Sequence, residues 1–211
     1  MTIIIVSWTF EKVLRAEIAI AGLLDRDYRS QEEIDGILKE TRATVPHFHI
    51  LDGKEIENYL LVPSALTHAV NDRLKERKAH ESVSEKYVVD MLLRLADEMK
   101  SSVLSQWISN RMRFFDNRTS KDPATVAEEA IANLDKEWHS PRARLMVVPG
   151  KSLLSAFNTE LQNKFSISIT STQIIRNLNS TKVASDLKEI LHDLNEFAKA
   201  PPPGTLITAS R

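Results

Sequence analysis

Two aspartates at the end of an apolar run are the first residues in the sequence that suggest chemistry. Residues 18–24 form this run, and Asp25 and Asp27 follow it. Residues two apart on a strand point to the same face, so the two carboxylates are expected to meet if the backbone stays extended. Carboxylates that meet repel each other unless a cation neutralises them, and oxygen ligands suit Mg²⁺ or Mn²⁺. The spacing agrees equally well with acids that only solvate a loop, with Asp27 paired to Arg29.

A second acidic pair, Glu55 and Glu57, lies at the end of a strand-like segment and before the helix that Pro63 is expected to begin. In open parallel sheets, ligands bind beyond the carboxyl ends of the strands. Two adjacent acid pairs would gather up to four carboxylates there, and such a density of charge is costly without a metal ion. The alternative is that Glu57 forms a helix cap or a salt bridge.

A lysine in a turn is the third candidate for chemistry. Pro149 and Gly150 form the turn, and Lys151 then begins a helix, where backbone N–H groups favour anions. A nucleotide-binding P-loop needs a glycine five residues before Gly150, and Leu145 stands there, so this motif is excluded. Lys151 is therefore expected either to lie near a metal-bound phosphodiester or to be an ordinary exposed helix start.

The elements that position these residues alternate between strand and helix in the first third of the chain. This order predicts an α/β fold with a Rossmann-like parallel sheet. Strands are expected at residues 2–7, 18–24 and 47–51, and helices at 8–16, 30–40 and 63–77.

The remainder of the chain is expected to be mainly helical. Two long helical patterns in the middle predict a helical insertion, and the last third mixes short apolar runs with amphipathic helices. Helices are expected at residues 84–115, 122–138, 150 onwards and 183–198, and strands at 143–148 and 165–170. The predicted domains are an α/β core at 1–80, the insertion at 81–140, a C-terminal α/β completion at 141–200 and a disordered tail at 201–211.

Composition excludes several classes of protein. Cysteine is absent, which excludes disulfides, thiolate nucleophiles and zinc–thiolate sites, and favours a cytoplasmic location. No apolar run approaches the ~20 residues that span a bilayer, so no membrane partner is expected. The formal net charge is −1, so any contact with nucleic acid must depend on local basic groups or on metal ions.

Two further groups of residues are weaker candidates. His47 and His49 are able to share a strand face and bind a metal, but a plain strand edge is the favoured interpretation. Arg111, Arg113, Arg118 and Lys121 at the end of a long helix form a basic patch that nucleic-acid phosphates would fit, although a solvated helix end is the favoured interpretation. Arg29 is a further residue that is able to contact phosphates.

Three stretches together resemble a known family. "GLLDRDYRS", "EIENYLLVP" and "VVPGKSLLSAFN" look like the TOPRIM nuclease domain of OLD-type ATP-dependent nucleases and related antiviral effectors. The resemblance implies that Asp25, Asp27, Glu55 and Glu57 bind Mg²⁺ or Mn²⁺, and that Glu57 and Lys151 take part in catalysis. It also implies phosphodiester cleavage of DNA or RNA, a TOPRIM-like fold, an ATPase domain or partner protein, and a role in phage defence.

The chain departs from the family pattern at its start. The pattern begins with a strand that ends in a glutamate, whereas the first expected strand here ends at Ser7 and Trp8. The sequence therefore predicts that the glutamate-bearing strand is missing, and that Glu11 and Glu17 do not replace it because they lie on an expected helix. A metal-dependent nuclease is the favoured function. The alternatives are a catalytically incomplete TOPRIM-like module for assembly or partner binding, and a small-molecule α/β enzyme. Self-association stays open.

Overall fold

The structure is a computed structural model, and it describes residues 19–78, 80–116 and 122–199. The described residues divide into two compact units, one formed by residues 19–24, 31–50 and 185–199 and the other by residues 25–30, 51–78, 80–116 and 122–184. The elements in chain order are β1 (Gly22–Leu24), α1 (Gln31–Arg42), β2 (Phe48–Ile50), a first 3₁₀ helix (Ile56–Leu60), α2 (Pro63–Glu76), α3 (Glu85–Asp116), α4 (Pro123–His139), α5 (Pro141–Val147), α6 (Gly150–Phe165), α7 (Ser171–Arg176), a second 3₁₀ helix (Ser180–Lys182) and α8 (Ser185–Lys199).

The first unit contains a short parallel pair of strands. β1 pairs with β2 so that Gly22 lies opposite Phe48 and Leu24 lies opposite Ile50. Its buried side chains come from α1, β2 and α8, which turn apolar faces inwards, and from the loop between α1 and β2. They include Ile34, Val45, Phe48 and Ile190.

The second unit has a helical core that is built along α3. This helix buries Val88, Leu92 and Leu95, whose spacing of three and four residues places them on one side. Leu153 and Phe157 of α6 belong to the same core and are fully buried. The predicted helices of this unit are confirmed, apart from shifts of one or two residues at their ends.

Local capping explains where several of these helices begin. The Asp122 side chain accepts hydrogen bonds from the backbone N–H groups of Ala124 and Thr125, and Pro123 occupies the first turn of α4. At α7, Thr170 and Gln173 form a reciprocal capping box. In the part of the chain that the structure describes, no helix is both long and apolar enough to cross a membrane.

The predicted α/β fold with a Rossmann-like parallel sheet is wrong. Helices make up 72% and strands 3% of the described structure, so helix-on-helix packing forms most of the core. The strands expected at 18–24 and 47–51 are confirmed only as the three-residue strands β1 and β2. The elements expected at 2–7, 8–16 and 201–211 lie outside the described residues.

Two predicted strands in the last third are also wrong, for different physical reasons. Residues 143–148 fall mostly within α5, because Ser140 caps this helix and Pro141 occupies its first turn. Phe165 ends α6, and residues 166–170 follow it without forming a strand. The backbone groups of Ile169 are paired with a side chain and not with another strand. The Asn158 amide accepts a hydrogen bond from Ile169 N–H at 2.8 Å and donates one to Ile169 C=O at 3.0 Å.

Candidate functional site

Hydrogen bonds within the second unit bring the three predicted motifs together. The Asp25 carboxylate accepts a hydrogen bond from the Ile56 backbone N–H at 3.1 Å, across 31 residues of chain. The Glu55 carboxylate accepts one from the Lys151 backbone N–H at 3.1 Å, across 96 residues. We call the group of charged residues assembled in this way the acid–lysine cluster; its members are Asp25, Asp27, Lys54, Glu55, Glu57 and Lys151.

A buried asparagine holds the backbone of the cluster in place. The Asn58 side chain is 3% exposed, and its amide donates hydrogen bonds to the Leu145 and Val148 carbonyl groups at 2.7 and 2.8 Å. The same side chain accepts a hydrogen bond from the Glu55 N–H at 2.7 Å. Asn58 therefore joins the start of the first 3₁₀ helix to the segment that connects α5 with α6.

Gly150 permits the close approach that the cluster needs. A Cβ atom at this position would lie 2.7 Å from the Asn58 nitrogen and 2.9 Å from its side-chain oxygen. Both distances are shorter than a normal non-bonded contact, so any side chain here would push α6 away from Asn58. The glycine thus lets the first turn of α6 bring Lys151 N–H to Glu55.

A buried lysine that the sequence did not single out lies at the centre of the cluster. Lys54 is 7% exposed, and its ammonium group lies 2.5 Å from a Glu55 carboxylate oxygen and 5.0 Å from the centre of the Tyr28 ring. Its backbone N–H donates to the Met146 carbonyl at 2.8 Å, and its own carbonyl accepts from Asp27 N–H at 2.9 Å. A buried ammonium needs such partners because its desolvation is costly.

The two aspartates do not share a strand face as predicted. The backbone turns at Asp27, which has a left-handed φ of 51°, so extended geometry does not continue through the pair. The Asp27 carboxylate accepts a hydrogen bond from the Arg29 guanidinium at 2.9 Å, the pairing expected if the acid only solvates a loop. The Asp25 carboxylate instead turns towards the N-terminus of the first 3₁₀ helix, where the N–H groups favour an anion.

The acidic pair Glu55 and Glu57 does not end a strand, because the first 3₁₀ helix begins directly after Glu55. Glu55 is the N-cap of this helix and forms a capping box with Asn58. Glu57 lies in its first turn and is half-buried. Within the described residues, Glu57 forms neither an ion pair nor a side-chain hydrogen bond.

Burial and the neighbouring acids both disfavour the charged form of Asp25. Partial burial raises the pKa of its carboxyl, and the negative charges of Asp27, Glu57 and Glu55 raise it further. The hydrogen bond from Ile56 N–H opposes this effect without cancelling it. Asp25 is therefore a carboxylate with too little positive charge near it.

Glu55 has the opposite electrostatic balance. Burial alone would raise the pKa of its carboxyl, but hydrogen bonds from the Lys54 ammonium and from Lys151 N–H outweigh burial, and the pKa is lowered. Burial also raises the pKa of the Tyr28 hydroxyl, with further contributions from the charges of Glu55 and Asp27, so this hydroxyl stays protonated. The cluster thus contains one well-neutralised acid beside one that lacks a cation.

The donor set fits a hydrated Mg²⁺ or Mn²⁺ ion better than a fully enclosed one. Among the described residues, no three His, Asp or Glu side chains converge closely enough to hold a metal ion by themselves. Mg²⁺ usually keeps several of its waters and binds only one or two carboxylates. Asp25 and Glu57 are the carboxylates of the cluster that no lysine or arginine side chain neutralises within the part of the chain described.

Lys151 occupies the predicted position at the start of α6, and its side chain is exposed. The backbone N–H that the sequence suggested for an external anion is already used by the Glu55 carboxylate. The ammonium group lies near enough to Glu55 to lower the pKa of that carboxyl, although less than Lys54 does. Lys151 therefore presents a positive charge at the exposed side of the cluster.

The weaker sequence candidates lie apart from these residues or act structurally. In the first unit, His47 and His49 both contact the same carboxylate oxygen of Asp193, at 2.9 and 2.7 Å, and these contacts lower the pKa of Asp193. In the second unit, the Arg111 guanidinium lies 5.7 Å from the centre of the Trp107 ring.

The remaining arginine candidates form local contacts. Arg113 donates a hydrogen bond to Ser109 one turn earlier in α3. Arg118 and Lys121 of the predicted basic patch lie outside the described residues. Arg29 is held by the Asp25 and Arg26 carbonyl groups as well as by the Asp27 carboxylate, so it belongs to the wall of the cluster. None of these contacts requires a nucleic acid.

Comparison with protein-family models, with curated proteins and with solved structures gave no match. The family resemblance therefore stays a prediction that depends on the short motifs described above.

Replacing Gly150 with alanine is expected to lower the free energy of unfolding by about 1–3 kcal/mol, the usual cost of overpacking. The reason is that the new Cβ would clash with Asn58. Gly36→Ala is the matched control, because a Cβ there meets nothing within 4 Å and the position is within α1. That control is expected to stabilise by about 0.5–1 kcal/mol. Urea unfolding of both variants checks the pair, and equal effects would contradict the assigned role of Gly150.

The pKa shifts predict opposite effects for two conservative substitutions. Since the native state raises the pKa of Asp25, the stability that this carboxyl contributes is present below its ordinary value of 3.8 and lost as the pH rises through the native pKa. Asp25→Asn is therefore expected to stabilise the protein at pH 7, while its amide oxygen still accepts the Ile56 hydrogen bond.

For Glu55 the sign is reversed, because its native pKa is lowered: its contribution is present above 4.5 and lost as the pH falls through the native value. Glu55→Gln is expected to destabilise at pH 7, and both differences should shrink in acid. Unfolding measured from pH 3 to pH 7 without divalent ions tests this account. Changes of the same sign in the two variants at pH 7 would refute it.

Proposed function

We propose that the acid–lysine cluster binds a divalent metal ion and that the chain is a nuclease module that hydrolyses phosphodiester bonds of DNA or RNA. The observation that carries the proposal is the pair of hydrogen bonds Asp25–Ile56 and Glu55–Lys151, which assemble three distant motifs into one charged cluster. These are the same motifs on which the resemblance to TOPRIM nucleases depends.

The distribution of charge supports a cation at Asp25 and Glu57. Lys54 neutralises Glu55, and Arg29 pairs with Asp27. Partial burial and, to a smaller extent, the surrounding negative charges raise the pKa of the Asp25 carboxyl. An external cation would relieve that repulsion, and oxygen ligands select a hard ion such as Mg²⁺ or Mn²⁺.

In such a site, the residues of the cluster would have different roles. Asp25 and Glu57 would hold the metal, with Asp27 beside them. A bound metal would activate water and neutralise charge on the phosphate. Lys54 and Asn58 fix the position of Glu55, which in turn fixes the first turn of α6. The exposed ammonium of Lys151 is then available to stabilise the negative charge that develops on a phosphodiester.

Nucleic acid is the proposed substrate, and the resemblance adds an ATPase domain or partner protein as a regulator. With a formal net charge of −1, the chain has no general attraction for phosphates, so binding would depend on the metal and on local cations. Lys151 and the basic residues Arg111 and Arg113 are the cations proposed for this contact.

A second candidate function is a catalytically incomplete TOPRIM-like module that serves assembly or partner binding. The observation that favours it is that no three acidic or histidine side chains converge among the described residues. Under this alternative, the cluster keeps its structural hydrogen bonds but cleaves nothing.

Mn²⁺ titration calorimetry on the chain tests the metal site. The parent is expected to bind Mn²⁺, and Asp25→Ala is expected to lose this binding. The variant should keep its helical circular dichroism, because it removes one of several mutually repelling charges. Glu128→Ala is the control, since this exposed acid lies on α4 outside the cluster. Unchanged Mn²⁺ affinity in Asp25→Ala would exclude the assigned site.

Lys151→Ala separates catalysis from metal binding. This variant is expected to bind Mn²⁺ as the parent does and to cleave nucleic acid more slowly by about 10²-fold, the effect of removing one group that stabilises transition-state charge. Lys136→Ala on α4 is the matched control and should cleave at the parental rate. Equal cleavage by Lys151→Ala and the parent would exclude a catalytic role for Lys151. Mn²⁺ binding by the parent without any cleavage would favour the catalytically incomplete module.

A further inference from the structure

A cavity of about 340 Å³ lies in the second unit, and Asn58 is one of the residues in its wall. This volume is within the range of sites that hold small organic ligands. Its wall is formed by the end of the first 3₁₀ helix and by parts of α2, α3 and α5. The apolar side chains of the wall include Leu61, Val62, Val89, Leu93, Leu145 and Met146.

The polar groups inside the cavity are already occupied by the protein. The Asn58 side chain is used by the Leu145 and Val148 carbonyl groups and by Glu55 N–H. The Tyr59 hydroxyl accepts hydrogen bonds from the backbone N–H groups of Asp52 and Gly53. An occupant therefore meets an apolar interior, which favours a hydrocarbon or aromatic body over a sugar or a peptide backbone.

Two cations line the same cavity. Arg142, in the first turn of α5, and Lys182, at the end of the second 3₁₀ helix, are both exposed and both belong to its wall. Neither forms an ion pair within the residues that the structure describes. The neighbouring Arg144 differs, because Asp97 and the Trp138 carbonyl hold its guanidinium.

We propose that this cavity is a binding site for a small amphipathic anion. The apolar body, an acyl chain or an aromatic ring, fills the interior, and a carboxylate or phosphate monoester pairs with Arg142 and Lys182. Arginine and lysine recognise both headgroups through charge-assisted hydrogen bonds. This inference goes beyond the proposed nuclease function and does not depend on it, since none of the acids of the cluster lines the cavity.

Methionine methyl groups offer a direct measurement. The chain has five methionines, and Met146 is the one in the wall of the cavity. In protein labelled with ¹³C at the methionine methyl groups, octanoate and octyl phosphate serve as anionic probes and 1-octanol as their neutral counterpart. At least one anion is expected to shift the Met146 signal saturably, and the anion that binds more tightly identifies the headgroup.

Charge-removing variants complete the test. Arg142→Gln combined with Lys182→Gln is expected to weaken binding of the anion at least about tenfold, since each charge-assisted contact adds markedly to affinity. Arg176→Gln combined with Lys136→Gln removes the same charge from exposed positions outside the cavity and should leave affinity unchanged. The proposal is overturned if neither anion shifts Met146, if 1-octanol binds as tightly as both anions, or if the first double variant binds like the parent.

Discussion

The buried side chain of Asn58 is the constraint on which the arrangement of the second unit's charged groups depends. One amide connects the Leu145 and Val148 carbonyl groups to the Glu55 N–H, so the first 3₁₀ helix and the start of α6 hold a fixed distance. If this side chain were removed, the two buried carbonyl groups and the partly buried Glu55 N–H would lose their partner, at about 1–3 kcal/mol for each buried group left unsatisfied. Gly150 completes the contact, because only a residue without a side chain fits against Asn58.

Because the backbone is fixed at this junction, the charged side chains of the cluster lie close to one another. Lys54 is buried between the Glu55 carboxylate and the Tyr28 ring, and this satisfies both the ammonium and one acid. Within the described residues, the Asp25 carboxylate accepts a hydrogen bond only from Ile56 N–H, while partial burial and the neighbouring acids raise its pKa. Ion pairs therefore neutralise Glu55 and Asp27. Within the described residues Asp25 and Glu57 have no such pair, and their charges are destabilising unless a cation binds. Such a local conflict is typical of a functional site.

Sequence patterns predicted the parts of the structure that local interactions decide. The Asp122 cap predicted the helix that begins at Pro123, and the turn formed by Pro149 and Gly150 predicted that Lys151 lies at the start of a helix. Short apolar runs were misinterpreted, because periodicity alone does not separate a buried helix turn from a strand. Residues 143–148 are an example, and their cap at Ser140 was the signal that favours a helix. The roles of Lys54 and Asn58 arise from contacts between segments, and no local pattern reports those.

We propose that the cluster binds a divalent cation at Asp25 and Glu57. Anomalous diffraction at the manganese absorption edge, from crystals of the chain grown with Mn²⁺, tests it most directly because it locates the ion without reference to activity. We expect an anomalous peak in contact with the Asp25 carboxylate and within reach of Glu57, with Lys54 still paired to Glu55. A peak bound to other residues, or no peak beside well-ordered Asp25 and Glu57 side chains, would contradict it.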